Sequence, residues 1–190
     1  TITIPDTVTK IGGCAFQDCN NLKTVTLSKN LVEIGNYAFE SCKKLTSIAI
    51  PNTVTSIGSY AFSDCSNLET VTFSNSLETI DSYAFSGCSS LFRVVIPDSV
   101  TSIGDYSFNN CPSLTSVVIP DSVTNIGKFA FAYCEKLISV TIGNGVTSIG
   151  ENAFLYCLNL ESINIPNSVT SIAPAAFLYC LSLDNITIPD

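Results

Sequence analysis

The sequence predicts an α/β solenoid of about eight 23-residue coils, each laying a short parallel strand against the next and returning through short helical turns. Three observations carry this. Cysteine recurs at 19, 42, 65, 88, 111, 134, 157 and 180, one step of 23 throughout, with no insertion or deletion. Phe keeps the same step from Phe16 to Phe177, and Leu from Leu22 to Leu183. A unit this short has too few apolar positions to close a core alone, so each coil must bury its apolar side against its neighbours.

Within the unit, the stretch ahead of proline alternates with period two, as in Val117-Val118-Ile119 before Pro120. That pattern is a short strand with Val and Ile turned inward. Proline ends it because it has no N–H to extend a ladder. The following Asp98-Ser99, Asp121-Ser122 and Asn167-Ser168 supply turn chemistry. A second extended piece, V-T-S-I, leads to glycine at 12, 35, 58, 104, 127 and 150, where either a positive φ or a close approach of coils is expected. Asp81 and Ala173 replace glycine in that column. Ser59, Ser82 and Asp105 then precede Tyr-Ala-Phe or Tyr-Ser-Phe, which predicts an N-cap before one or two helical turns, with Pro174 at a first helical position. Strands stacked ~4.8 Å apart make a rod roughly 40 Å long, its strand side concave and its helical side convex.

Composition narrows the function. Sixteen acidic against eight basic residues give a net charge of −8, which repels phosphate backbones and anionic lipid surfaces. Polar residues interrupt every apolar run, so neither membrane insertion nor nucleic acid binding is expected. The chain lacks histidine and any C-x-x-C pair, so no metal site, cofactor or thiolate catalysis is expected, and no catalytic residue can be named. Ice binding would need regular Thr ranks that several coils lack.

The unit resembles the BspA-like leucine-rich repeats of bacterial and protist surface proteins, a pattern matched by IPDSVTSIGDYSFNNCPSLTSVVIP at 96–120. The resemblance covers the whole chain and implies a right-handed curved solenoid, an extracellular or cell-surface location and adhesion to host or matrix proteins. The chain opens on TITIPD and closes on NITIPD in the same phase, which predicts a single domain over 1–190 that is a segment of a longer surface protein.

Nine cysteines in an exported protein raise the question of disulfides. Equivalent residues of adjacent coils lie within bridging range at Cα, but their side chains run parallel into the core, so packing as small hydrophobes is favoured over scattered bridges. Cys14 differs. It occupies the column otherwise filled by Tyr37, Tyr60, Tyr83, Tyr106 and Phe129, and is expected to be a free, accessible thiol.

Two departures from the repeat are candidate sites. Outward positions on the concave strands run from Thr24 and Thr26 to Asn185 and Thr187 and are mostly small and neutral. Phe92, Arg93, Val95 and Val118 break that floor with the composition of an interface centre. On the convex side, the column that reads Asp18, Ser41, Asp64, Gly87, Asn110 becomes Tyr133, Tyr156, Tyr179. With Leu155, Leu158, Leu178 and Leu181 these tyrosines form an apolar strip suited to self-association or to packing against an adjacent domain. The expected function is a non-enzymatic scaffold that binds an extracellular protein or glycan, with a passive stalk as the alternative.

Overall fold

The computed structural model describes residues 1–187, and the side chains of Asn185 and Thr187, the last outward pair predicted for the strand floor, lie outside the described residues. The period-two pattern folds as its chemistry dictates. In the strand Ser116–Ile119, Val117 and Ile119 are buried while Ser116 and Val118 face outward. Its neighbour Ser139–Ile142 repeats that arrangement in parallel, pairing Val117 with Val140 and Ile119 with Ile142, each residue opposite the one 23 positions on.

Two parallel ladders run the length of the molecule. A seven-stranded sheet carries the strands from Ser47–Ala49 to Asn185–Thr187, and the pair Ile2–Thr3 and Val25–Thr26 continues it through a bridge between Thr24 and Ser47. The second sheet has eight two-residue strands, from Lys10–Ile11 to Ser171–Ile172, formed by the predicted V-T-S-I pieces. Between the sheets lies one continuous core. Its spine is a stack of Phe rings from Phe16 to Phe177, with centroids 5.1 Å apart at one end and 5.5 Å at the other. Phe73, a departure from an aliphatic column, packs edge-on against Phe85 at 5.4 Å.

The helical turns, and with them the α/β class, are a correction. No helix occurs among the described residues, and the solenoid is a parallel β-solenoid closed by successive turns. The cause is visible in the coil from Gly35 to Leu45. Tyr37 and Ser41 hold φ of 59° and 56°, and a left-handed residue every fourth position interrupts an α-helix. Backbone N–H groups then alternate in destination. Those of Tyr37, Phe39 and Ser41 donate to the carbonyls of Ser59, Ala61 and Ser63 in the next coil at 2.8–2.9 Å. Those of Ala38, Glu40 and Cys42 donate within the coil to Gly35, Tyr37 and Phe39 at 3.2–3.3 Å. Half the donors a helix would use internally are thereby spent on joining coils.

The residues expected to cap helices therefore serve the neighbouring coil. The carbonyls of Ser59, Ser82 and Asp105 accept from Tyr37, Tyr60 and Tyr83, and Asp105 Oδ1 accepts the Lys128 N–H at 2.8 Å; the carbonyl of Pro174, expected at a first helical position, likewise accepts from Asn152. The glycine column also resolves in favour of close approach. Gly127 lies outside the positive-φ region, but a Cβ placed there would stand 2.5 Å from the carbonyl carbon of Gly104. Positive φ falls instead on the aromatic column two residues later. Asp81, in that glycine column, is half-buried, and desolvation raises its carboxyl above the usual range.

Candidate binding surface

The strand face is a floor of small residues broken at one place. Arg93 stands in register with Ser116, and Val95 with Val118, on strands Arg93–Val95 and Ser116–Ile119. Period-two alternation turns Val94 and Val117 inward and leaves Val95 and Val118 58% and 55% exposed. Phe92 and Arg93 are exposed beside them. The Phe92 backbone is fixed from both sides: its N–H donates to Glu69, and its carbonyl accepts the Thr115 N–H and hydroxyl, each at 3.2 Å. The structure thus brings Phe92, Arg93, Val95 and Val118 together as one patch. Sequence reasoning missed what borders it. Asp98, Asp121, Thr141, Asn144 and Asn164 join Val118 around an open depression of about 600 Å³. Asp121 Oδ1 accepts the Asn144 N–H at 2.6 Å, so one carboxylate oxygen is spent on fixing the turn.

The tyrosine strip is built differently. Tyr133, Tyr156 and Tyr179 stack at 5.3 and 4.5 Å, all with φ close to 60°. Leu178 and Leu181 are exposed, the latter by 74%, while Tyr156 and Leu158 are half-buried. Leu155 belongs inside the surface: it is only 7% exposed, and its carbonyl accepts the Tyr133 N–H at 2.7 Å.

A second aromatic ladder runs beside the glycine column. Tyr37, Tyr60, Tyr83, Tyr106 and Phe129 stack at 4.8, 4.4, 4.5 and 4.6 Å, half-buried, with their edges rather than their faces turned outward. The period-23 recurrence of tyrosine was its signal in the sequence. Cys14 takes the same left-handed position, with φ of 58°, and is exposed.

All nine cysteines are free thiols, and those from Cys42 to Cys157 are buried. Each buried thiol donates to the Phe carbonyl of the preceding coil, Cys65 to Phe39 at 3.1 Å and Cys134 to Phe108 at 3.4 Å. Burial pushes Cys42 up to about 11 and Cys134 up to about 12, so they are neutral hydrogen-bond donors at neutral pH. No group of acidic, Cys or His side chains among the described residues is placed to hold a metal, and no helix there is long and apolar enough to cross a membrane.

Stacked parallel coils of 23 residues around a Phe, Leu and Cys spine, with an exposed strand face, define a repeat scaffold. The chain belongs to the BspA type leucine-rich repeat family, whose six-copy model matches residues 1–114 and 101–190. That repeat family is one of protein-interaction scaffolds. The leucine-rich repeat protein of T. pallidum is similar in structure, with a TM-score of 0.79 and 32% identity over 84% of this chain and 77% of that one. A leucine-rich repeat protein of Eubacterium ventriosum aligns with a TM-score of 0.80 and 26% identity over 99% of this chain and 54% of that one. The pneumococcal vaccine antigen PcpA aligns with a TM-score of 0.60 and 26% identity over 88% and 51%. The chain thus spans about half the length of the last two. No curated protein sequence matches the chain significantly.

Proposed function

We propose that the chain is a non-enzymatic binding scaffold, a segment of an extracellular or cell-surface adhesin that engages a protein or glycan through its strand face. The observation that carries this reading is the cluster of Phe92, Arg93, Val95 and Val118, exposed together on an otherwise small and neutral floor. An aromatic, an arginine and two aliphatic groups held on a rigid sheet match the composition of interface centres, and the fixed backbone keeps the ordering cost low. Nothing in the surrounding coils requires these side chains for packing, because the inward positions of the same strands already fill the core. That a pneumococcal chain of this fold is a vaccine antigen supports a surface location. The tyrosine strip is a second contact area, against an adjacent domain or another copy.

The test is capture from an array of extracellular proteins and glycans by wild type and by Phe92→Ala/Arg93→Ala. Selective capture by wild type, reduced at least about tenfold in the double variant, is expected from loss of two interface-centre side chains. Equal capture by both removes the strand patch as the site, and capture of nothing by a folded wild type leaves the passive stalk.

A further inference from the structure

Going deeper into the same face, and resting on the reading above, we infer that its partner is a protein segment with an apolar centre flanked by an acidic side chain on one end and a basic one on the other. The apolar centre of the patch is Val95 against Val118, with Phe92 beside it. Its two ends carry opposite charge. Arg93 lies on one side, at the start of its strand, and Asp98 and Asp121 lie on the other, past the strand ends, around the depression that Val118 also lines. Among the described residues the ion pairs are Lys10–Glu33, Lys29–Asp6 and Lys128–Glu151, so none of those residues pairs with Arg93, Asp98 or Asp121.

That layout selects an occupant. A neutral glycan offers no charge to match these ends and an acidic one matches Arg93 alone, and a second copy of the chain brings another net charge of −8. A partner carboxylate meets the Arg93 guanidinium, and a partner Lys or Arg lays its aliphatic stem over Val118 with its head between Asp98 and Asp121. Thr141, Asn144 and Asn164 line the same depression and supply further polar groups for that head. Strand rise places the two ends roughly 10–15 Å apart, so an extended segment needs its opposite charges about three to five residues apart. Charges of both signs beside an apolar centre favour one partner by opposite charge and reject like-charged ones by repulsion.

The probe is a displayed library of extended decapeptides with one Leu between a Glu and an Arg at varied spacing, beside sets with Gln in place of Arg or of Glu. Wild type is expected to enrich the Glu–Leu–Arg peptides by at least about tenfold over either Gln set, the worth of one charged contact at an interface. Asp98→Lys/Asp121→Asn, in which the amide oxygen still accepts the Asn144 N–H, is expected to move the preference to peptides with acid at both ends, its unchanged melting temperature showing that the fold is kept. Equal enrichment of the Gln sets, no enrichment at all, or an unchanged preference in the lysine variant overturns the inference. So does concentration-dependent dimerisation through Arg93 and Asp121, which makes a second copy the occupant. Failure here alongside Phe92-dependent capture in the array leaves the scaffold reading intact.

Discussion

The Cys157 thiol donates to the Phe131 carbonyl of the preceding coil at 3.2 Å, and the same bond recurs from Cys42 to Cys180. At Phe39 the carbonyl takes both the Cys42 N–H of its own coil at 3.2 Å and the Cys65 thiol of the next at 3.1 Å. The cysteine column is thus a hydrogen-bonded ladder as well as an apolar one. Replacing Cys157 by Ser keeps a donor facing an acceptor that is already in place. Cys157→Ser is therefore expected to cost only ~1 kcal/mol, and Cys157→Ala ~1–3 kcal/mol for the lost bond and the void. Chemical denaturation of the two variants checks the order, and a Ser variant that is the less stable refutes the bonded ladder.

Alkaline pH acts on the same column. An unfolded chain sheds thiol protons from about pH 9.0, the ordinary value, while the folded chain keeps the Cys134 proton up to about 12. Above pH 9 the unfolded state therefore binds fewer protons, and stability falls as pH rises. Each deeply buried thiol contributes a slope of about 1.4 kcal/mol per pH unit in that window. Melting curves from pH 8 to 11 are expected to fall steeply, and Cys111→Ala to make the fall shallower by one thiol's share. At neutral pH, iodoacetamide is expected to label exposed Cys14 while Cys88, Cys111 and Cys134 react only after unfolding.

One residue in the core departs from its column without compensation. Ser107 stands where every other coil has Ala, it is fully buried, and its hydroxyl is the only buried side-chain oxygen or nitrogen among the described residues without a partner. Its backbone is in order, since the Ser107 carbonyl accepts the Phe85 N–H at 2.8 Å. Ser107→Ala is expected to stabilise the fold by ~1 kcal/mol, or about 2–4 °C in melting temperature for a chain of this size. A destabilised Ala variant shows instead that the hydroxyl has a role.

The repeat, the strand alternation, the buried columns and the outward Val95 and Val118 were all legible because side-chain polarity records which way a residue faces. The turn segment was not. Ser59, Ser82 and Asp105 do satisfy backbone donors, as cap residues should, but donors of the neighbouring coil rather than of a helix. Nothing in the identity of Tyr37 or Tyr60 marks a left-handed residue, because the conformation goes with the N–H bond to the next coil, which Cys14 and Asn152 make in the same column with no aromatic ring. The depression between Asp98 and Asp121 was hidden for a similar reason. Its walls come from separate coils at Gly143 and Asn144, where glycine replaces proline and lets the turn settle onto Pro120.

Two glycines of one column should respond oppositely to alanine. A Cβ at Gly127 would meet the Gly104 carbonyl carbon at 2.5 Å, its oxygen at 2.6 Å and the Asp105 nitrogen at 2.7 Å. All three are backbone atoms and cannot swing aside as a side chain would, so the coils must separate locally, and neighbouring pairs such as Ile126 with Ile149 share the strain. Gly127→Ala is expected to cost ~1–3 kcal/mol through this overpacking. A Cβ at Gly12 would meet nothing within 4 Å, and the backbone there has no positive φ. Gly12→Ala restricts only the unfolded chain and is expected to be neutral or to stabilise by up to ~1 kcal/mol. Urea titrations of the two variants decide it: equal effects would mean that the glycine column is kept for chain flexibility, whereas a loss confined to Gly127 assigns it to the approach of one coil upon the next.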